Sequence, residues 1–323
     1  MAFDSFIPEV WSARLLEHLD KLHVYAGLMN RDYEGDIRAF GDTVHINQLG
    51  AITIRDYDGT DIADPEELDG TQQNLVIDRA KYFNFQVKDI DNAQSNPKLI
   101  DSAMQRASYG INDEIDRYLA ALLVSGCAAA NVLCDAAHAV TPTASTAYDY
   151  LVDLGTVLSE NNVPMLGRWA VVPPWYHALL LKDERFVGNG TGYNQAVLQG
   201  GVVGEAAGFQ IHLSNNVPHV YAKTSDEAVS EGKTYYVLDE SGVYLPVAEP
   251  KTADIGDYYE QSTAQQILAG TSAAGSFAEQ LVELEAYRLE KNFSDAVKGL
   301  HVYGAKVVQP SALAVLTADK SGS

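Results

Sequence analysis

Two segments with alternating apolar residues, joined by an acidic connection, constrain the fold of this chain more than any other feature. The first, from Asp42 to Tyr57, is predicted to be a strand interrupted at Gly50. The second, from Leu75 to Val87, has apolar odd positions and mostly polar even positions, as expected of a strand with one buried face. The apolar residues of the two segments are Val44, Ile46, Ile52, Ile54, Leu75, Ile77, Phe83, Phe85 and Val87. We therefore predict a long two-stranded hairpin, and we refer to residues 42–90 as the extended loop.

The far end of the extended loop is acidic and contains the turn-forming residues Gly59, Pro65 and Gly70. Its acidic residues, which we call the acidic tip, are Asp56, Asp58, Asp61, Asp64, Glu66, Glu67 and Asp69. So many charges do not pack into a core, and a hairpin without a further surface is only marginally stable in water. The extended loop is therefore expected to lie on a neighbouring molecule.

Composition bounds the class of protein. A chain of 323 residues with 46% hydrophobic and 20% charged residues is expected to fold into about two domains. The net charge of -22 argues against a general nucleic-acid binder, because affinity for phosphates comes from clustered Lys and Arg. The first ten residues lack a secretory signal, and no stretch approaches the roughly 18 apolar residues of a membrane span. We expect a soluble protein that is made in the cytoplasm and has no membrane partner.

Helical periodicity is strongest from Pro97 to Ser125, where apolar residues recur every three or four positions. This stripe consists of Ile100, Met104, Ala107, Ile111, Ile115, Tyr118 and Leu122. Asp113 and Arg117 add an i,i+4 ion pair on the polar side. A second amphipathic helix is predicted from Pro8 to Met29.

The second half of the chain mixes helices and strands. A helix over 147–160 is predicted to begin at a capping box in which Thr146 and Asp149 bond to the backbone. The other predicted elements are a strand at Arg168–Val172, a helix from Pro174 to Leu181, a strand at Phe209–Leu213, a hairpin at Tyr235–Val247 and extended segments at Leu281–Leu289 and Gly299–Val308. Because helices and strands do not alternate as βαβ units, the predicted fold class is α+β.

Sequence motifs give no sign of catalysis. Glu231–Thr234 resembles the end of a phosphate-binding loop, but Glu227 stands where its first glycine is required. The acidic tip has carboxylates at three positions of a calcium loop, but Gly59 is displaced from the position that such a loop requires. Cys127 and Cys134 do not have metal-site spacing, and neither do the histidines. We therefore predict a protein that is not an enzyme, without catalytic residues, cofactor or metal.

Several short sequence segments, taken in their order along the chain, resemble those of the tailed-phage major capsid protein family with the Hong Kong 97-like fold. The resemblance covers nearly the whole chain, although no single segment is by itself a signature of the family. These segments are Phe6–Leu16, Gly41–Ile46, Ile52–Tyr57, Phe83–Asp91, the helix Pro97–Ser125, Arg168–Pro174, Gly204–Pro218 and Gly299–Pro310.

This resemblance implies a domain organisation. It comprises an N-terminal arm at 1–41, the extended loop at 42–90, a peripheral domain at 91–146 and 300–323 with a spine helix at 97–125, and an axial domain at 147–299. Residues 222–260 resemble no segment typical of the family and are expected to form either a local insertion or an elongated loop. Contacts between subunits are expected at the acidic tip and, in the N-terminal arm, at Phe6 and Trp11.

The resemblance also implies a function and partners. Copies are expected to associate as hexamers and pentamers into an icosahedral head shell, which encloses phage double-stranded DNA without sequence-specific binding. Because residue 1 leads at once into the N-terminal arm, we expect a separate scaffolding protein rather than a fused one. A portal protein is expected, and a decoration protein is compatible with the resemblance. The location would be the virion capsid, assembled in the cytoplasm of the host bacterium.

Two alternatives remain open from the sequence. The first keeps the fold but changes the role to an encapsulin-like shell of a bacterial nanocompartment. The second is a monomeric carbohydrate-binding module or enzyme that uses Tyr235, Tyr236, Tyr258 and Tyr259 as a sugar platform.

Overall fold

The elements of the fold are seen in a computed structural model of the chain. The structure describes residues 24–33, 41–49, 54, 70–88, 98–135, 138–183, 185, 204–224, 228–230, 233–238, 244–248, 250–288 and 294–320. Within these ranges the protein combines a long helix and several shorter ones with extensive antiparallel sheet.

The helices at 98–125, 147–160 and 174–182 agree closely with the periodicity of the sequence. Of the helix predicted from Pro8 to Met29, residues 8–23 lie outside the described residues, and only Tyr25–Leu28 are helical in the described remainder. The described helices are α1 (Tyr25–Leu28), α2 (Lys98–Ser125), α3 (Ala147–Glu160) and α4 (Pro174–Lys182). Helix α2 buries Ile111, Ile115 and Tyr118 of the predicted stripe, and its predicted ion pair forms with 2.5 Å between Arg117 and Asp113. No helix within the described ranges is both long and apolar enough to cross a membrane.

The strands account for most of the remaining structure. In the first half of the chain they are β1 (Thr43–Leu49), β2 (Gly70–Val76), β3 (Arg79–Lys88), β4 (Val132–Leu133), β5 (Arg168–Val172), β6 (Glu205–Ala206) and β7 (Phe209–Leu213). They continue as β8 (His219–Lys223), β9 (Tyr236–Leu238), β10 (Tyr244–Pro246), β11 (Tyr259–Thr271), β12 (Gly275–Arg288), β13 (Ser294–Val307) and β14 (Leu313–Ala318). Short 3-10 turns lie at Ala129–Asn131, Thr252–Asp257, Ser272–Ala274 and Pro310–Ala312.

The described strands form three sheets. Strands β1 and β2 make a two-stranded antiparallel sheet, and β12, β13 and β3 make a three-stranded one in that order. The largest sheet is organised around β11, which pairs with β5 and β14 through its second half and with β8 and β9 through its first half. Strand β11 therefore joins the predicted strand 168–172 to the predicted hairpin 235–247, and both predictions are confirmed.

The main core lies between the largest sheet and the helices. All five residues of β5 and all six of β14 are buried, so both strands are covered on their two faces. Helix α3 contributes Leu151, Leu154 and Leu158 to this core, at the spacing of one helical face. The hydroxyl of Tyr176, which is fully buried on α4, donates to the carbonyl of Ala147 at 2.7 Å and ties the starts of the two helices together.

The predicted capping box of α3 is wrong. Thr146 makes no side-chain bond to the helix that follows it, and its Oγ1 accepts instead from the backbone N–H of Thr143 at 2.9 Å. The carboxylate of Asp149 binds Arg185 at 2.6 Å. The capping residues are thus engaged by partners outside the helix, one of which is distant in the sequence.

The predicted second strand of the extended loop is also wrong in one respect, because it is two strands in two different sheets. Strand β2 pairs with β1, with Thr43 opposite Val76, whereas β3 pairs with β13. The chain leaves the ladder at Ile77 and Asp78 and changes sheets there. Ile54, which was predicted to lie in the first strand, is not part of a strand in the structure and is 95% exposed.

Residues 222–260 are partly described and extend the largest sheet. Tyr221 stacks on Tyr244 with 4.0 Å between ring centroids, and Tyr236 and Tyr259 contact these two rings edge-on. The aromatic rings therefore hold the β9–β10 hairpin against β8 and β11. The predicted domain boundaries remain predictions; β13 runs across the one placed between residues 299 and 300.

Candidate inter-subunit surfaces

The residues predicted to contact other subunits lie outside the described residues. They are Asp56, Asp58, Asp61, Asp64, Glu66, Glu67, Asp69, Phe6 and Trp11. The structure does describe the base of the extended loop, residues 24–33 of the N-terminal arm, and the surfaces around them. These regions decide how the predicted contact elements are attached to the subunit.

The base of the extended loop is fastened by a small apolar core of its own. Its members come from both strands of the base and from the long hairpin beneath them: Val44, Ile46, Leu75, Ile77, Ala278 and Val302. Each of these side chains is at most 9% exposed. Because this core is separate from the main core, the base is attached to β12 and β13 as a unit with its own packing.

The end of strand β2 and the β12–β13 hairpin come into close contact at Gly304 of β13. A Cβ atom at this position would lie 2.3 Å from the carbonyl oxygen of Val76 and 2.9 Å from Cδ1 of Ile77. Only glycine allows the backbones to cross at this distance. The chain closes the base there through hydrogen bonds from Gly41 N–H to the Ile77 carbonyl at 2.9 Å and from Ile77 N–H to the Asp42 carbonyl at 3.0 Å.

Strand β3 presents one face to the long helix and the other to solvent. On the helix side, the guanidinium of Arg79 lies 5.2 Å from the ring centroid of Tyr118, and Lys81 lies 3.6 Å from the Glu114 carboxylate. On the opposite face Tyr82 is 78% exposed. The helix-facing contacts fix β3 against α2 and leave its other face open.

Buried polar groups hold the described part of the N-terminal arm, residues 24–33. The carboxylate of Asp116 on α2, 3% exposed, accepts the backbone N–H groups of Val24 at 2.9 Å and Tyr25 at 3.3 Å, at the start of α1. Farther along, Arg31 binds Glu279 of β12 at 2.7 Å. The segment is therefore tied both to the long helix and to the three-stranded sheet.

A surface that the sequence analysis did not single out lies between α3 and β5, at residues 161–167. Two neighbouring apolar residues project from it: Met165 is 73% exposed and Leu166 is 91% exposed. The guanidinium of Arg168, buried to 4% exposure, donates to the carbonyls of Pro164 at 2.9 Å and Val163 at 2.6 Å. The sequence signal that could have found this surface is an uncharged connection, Asn161–Gly167, with adjacent Met and Leu residues.

Burial shifts the pKa of several titratable groups in the direction that favours their neutral forms. Burial lowers the pKa of His177, His212 and His219, so these imidazoles are held neutral near pH 7. Burial also raises the pKa of the Cys127 thiol to about 11, which suppresses its reactive thiolate. Among the described residues no group of three His, Cys, Asp or Glu side chains could hold a metal ion.

A polar cleft lies where the start of α3 meets the end of α4. Its described lining is Thr143, Ala144, Ser145, Lys182, Asp183 and Arg185. Arg185 binds Asp149 at 2.6 Å and lies 5.0 Å from the ring centroid of Tyr148, so it joins the two helices. Binding to Arg185 lowers the pKa of the Asp149 carboxyl. Its described lining contains no histidine, the side chain most often used for proton transfer.

The tyrosines proposed as a sugar platform do not form a continuous surface. Tyr235 is fully buried and Tyr258 is 4% exposed, and their ring centroids lie 5.6 Å apart in the interior of the protein. Tyr236 is half-buried, and its hydroxyl donates to Gln261 at 2.6 Å. These rings fill a small aromatic core.

Comparison with known proteins agrees with this architecture. A family model described as phage capsid protein matches residues 71–316, which is most of the chain. The match includes β2, β3, the long helix α2 and both long hairpin strands β12 and β13. No curated protein sequence matches the chain significantly.

Solved structures resemble the chain over nearly its whole length. A structure from Mycobacterium phage Che8 has a TM-score of 0.65 and 26% identity, with 91% of this chain and 90% of that chain covered. The capsid of Cyanophage P-SCSP1u has a TM-score of 0.63 and 14% identity, with 94% and 88% covered. A virus-like particle from Pyrococcus furiosus has a TM-score of 0.52 and 13% identity, with 95% and 98% covered.

Proposed function

The chain belongs to the phage capsid protein family and is a major capsid protein with the Hong Kong 97-like fold, and from this premise we propose how its copies build a shell. Copies associate as hexamers and pentamers, and these close into an icosahedral head that encloses packaged double-stranded DNA. The observation that carries the proposal is the family match over residues 71–316, which includes the long helix and both long hairpin strands. The protein acts as a structural component and not as an enzyme.

The extended loop is proposed to reach a neighbouring copy. Its base has a separate apolar core on β12 and β13, which supports a projecting element that does not depend on the main core. The acidic tip would meet basic residues of the adjacent subunit, which sets orientation and specificity more than affinity. Phe6 and Trp11 of the N-terminal arm are proposed to add apolar contacts of the same kind. A shell holds together because many such weak contacts act at once.

The acidity of the chain supports a role in enclosing DNA without binding it. With a net charge of -22, the subunit as a whole repels phosphate groups. A wall of this kind leaves packaged DNA free to move during filling and release. We propose that the shell has no sequence-specific contact with its contents.

The remaining partners follow from the family alone. We propose that a separate scaffolding protein directs closure at the correct size and that a portal protein occupies one vertex. A decoration protein on the outer face is a further proposal. Assembly would take place in the cytoplasm of the host bacterium, and the mature location is the virion capsid.

The test of this function is negative-stain electron microscopy combined with light scattering on the purified protein. The protein is produced alone and together with the products of its neighbouring genes. Closed shells or rings of capsomer size are expected, with regular shells under co-expression. A discrete monomer under both conditions would contradict the shell role, and regular shells of one size from the protein alone would contradict the separate scaffold.

A second function has a specific observation in its favour. The fold is also found in a virus-like particle from Pyrococcus furiosus, which keeps the alternative of an encapsulin-like shell open. The TM-score of this particle, 0.52, is lower than the 0.65 and 0.63 of the two phage structures, which favours the phage role. Nuclease treatment of shells isolated from the source cells decides between them: protected DNA indicates a phage head, and protein cargo without DNA indicates a compartment.

A further inference from the structure

We propose that residues 161–167, which we call the α3–β5 loop, form a contact between copies of this chain in which Met165 and Leu166 are buried against the second copy. This inference rests on the proposed shell function and names one surface that the shell would use. The evidence is the exposure of the two side chains, the hydrogen bonds that fix the two ends of the loop, and the net charge of the chain.

The exposure is unusual for two large apolar neighbours. Met165 is 73% exposed and Leu166 is 91% exposed, and Pro164 beside them is exposed as well. Single apolar residues on a surface are ordinary, but adjacent ones that project together are typical of interaction sites. Within the described part of the chain, no side chain covers either residue.

The start of the loop is locked by the way in which helix α3 ends. Asn162 adopts a left-handed conformation with φ 58°, and its N–H donates to the Ser159 carbonyl at 3.0 Å. The N–H of Val163 donates to the Leu158 carbonyl at 3.0 Å, and both of these apolar side chains lie in the main core. This pair of hydrogen bonds with its apolar contact is a Schellman motif, which defines the direction of the chain after the helix.

The rest of the loop is held by Arg168. Its buried guanidinium donates to the carbonyls of Pro164, Val163 and Gly155 and to Ser159 Oγ, at distances between 2.6 and 3.2 Å. These bonds span both the loop and the last turns of α3. The two ends of the α3–β5 loop are therefore fixed before any partner arrives, and a preorganised surface loses less entropy when it binds.

Charge indicates that the partner is another copy of this chain. Each copy carries a net charge of -22, so two copies repel one another over most of their surfaces. The α3–β5 loop contains only uncharged residues, Asn161 to Gly167. An uncharged apolar projection is a place where two acidic copies can meet without bringing carboxylates together. A strongly basic partner would instead be expected to select an acidic loop.

The first experiment compares two double variants of the full chain. In the test variant, Met165→Gln and Leu166→Gln replace the apolar side chains with uncharged polar ones. In the matched control, Val152→Gln and Leu213→Gln make the same change at residues that are 41% and 47% exposed on α3 and β7. We expect the test variant to raise the protein concentration needed for shell formation by about tenfold or more, as a loss of contact affinity does. The control is expected to assemble like the original protein.

The outcomes separate this inference from the proposed function. If the original protein forms shells and the test variant does so at the same concentration, the loop contact is overturned and the shell function stands. Equal impairment of the test and control variants also overturns it, because the effect then belongs to surface apolarity in general. If the original protein forms no shell even when it is co-expressed with its neighbouring gene products, the proposed function itself fails.

A second measurement does not depend on the assembly of a weakened variant. A single Met165→Cys change is labelled with a small maleimide in free subunits and in purified shells, beside a parent that contains only the native Cys127 and Cys134. Labelling of residue 165 above the parent is expected in free subunits and is expected to fall at least tenfold in shells. Equal labelling in both forms overturns the contact.

Discussion

At the residue scale, the most consequential groups are buried polar atoms and close backbone contacts. Asp116 is the clearest case, because a carboxylate that is 3% exposed accepts two backbone N–H groups from a segment about 90 residues earlier. It caps α1, which is only four residues long and has no side-chain cap of its own. The anchoring of this segment therefore depends on a residue of the long helix.

Replacement of Asp116 tests that anchor. Asp116→Ala leaves the N–H groups of Val24 and Tyr25 without their acceptor, and the free energy of unfolding should fall by about 1–3 kcal/mol. Asp116→Asn keeps one acceptor oxygen and is expected to lose less. Urea denaturation of unassembled subunits measures both, and equal stability of the alanine variant and the original protein would contradict the role.

Gly304 is a second test at this scale, with a control on α2. Gly304→Ala places a Cβ atom against the carbonyl of Val76, and overpacking of this kind should lower stability by about 1–3 kcal/mol. Gly110→Ala meets no atom within 4 Å on an exposed helical position, and it should raise stability by about 0.5–1 kcal/mol. The melting temperatures of the two variants should shift in opposite directions. An unchanged melting temperature for Gly304→Ala would mean that β13 and the end of β2 can move apart at little cost.

Cys127 gives a prediction about pH. Burial raises the pKa of its thiol to about 11, above the value of about 8.5 for an unfolded chain. The stability that this difference contributes is complete below about pH 8.5 and is lost as the pH rises towards 11, because the thiolate is favoured only after unfolding. In a Cys134→Ala background, maleimide labelling of Cys127 should be slow at pH 7 and should increase about tenfold per pH unit up to pH 11. Rapid labelling of the folded protein at pH 7 would contradict this.

At the element scale, the extended loop combines a well-anchored base with a tip that the proposal assigns to a neighbour. The base ladder runs from Thr43 opposite Val76 to Leu49 opposite Gly70, so it can be closed directly after its last pair. Replacing residues 50–69 with Asn-Gly, which favours a tight hairpin turn, should preserve this ladder and its apolar core.

This shortened chain should remain folded while its assembly fails. The melting temperature of the subunit is expected to stay close to that of the original protein, because the replaced residues lie beyond the core of the base. Shell formation, followed by light scattering and electron microscopy, should be lost because the tip can no longer reach its neighbour. Normal shells from the shortened chain would remove the tip from the mechanism.

The elements themselves were predicted from the sequence with different success. The stripe of apolar residues from Ile100 to Leu122, together with Pro97, predicted α2 to within one residue at its start, because a 3.6-residue period is a local property. The second strand of the extended loop was not separable into β2 and β3. Both have a period of two in the same phase, and this pattern does not show which partner strand each segment pairs with.

At the scale of the whole molecule, net charge sets the conditions for assembly. Copies with a charge of -22 repel one another, and the range of that repulsion falls from about 10 Å at 0.1 M salt to about 3 Å at 1 M. The concentration of subunits needed for shell formation should therefore fall as sodium chloride is raised between these values. Light scattering on a salt series measures this; a higher threshold at 1 M salt would mean that contacts between opposite charges, such as those proposed for the acidic tip, dominate assembly.

The sequence by itself determined α2, α3 and α4, the strands at 168–172 and 209–213, the acidity and the family resemblance, and the family and fold were confirmed. These properties depend on periodicity, composition and short sequence segments, all of which can be read without knowing which residues meet in the fold. The sequence did not predict β11 or β14, around which the largest sheet is built. The tertiary structure decided how these pieces combine. It placed β3 beside β13, brought Gly304 against Val76, and used Arg168 to hold an exposed apolar loop. Contacts between residues far apart in the sequence, such as β3 with β13 or Asp116 with Val24, depend on the packing of the whole chain and have no local signal.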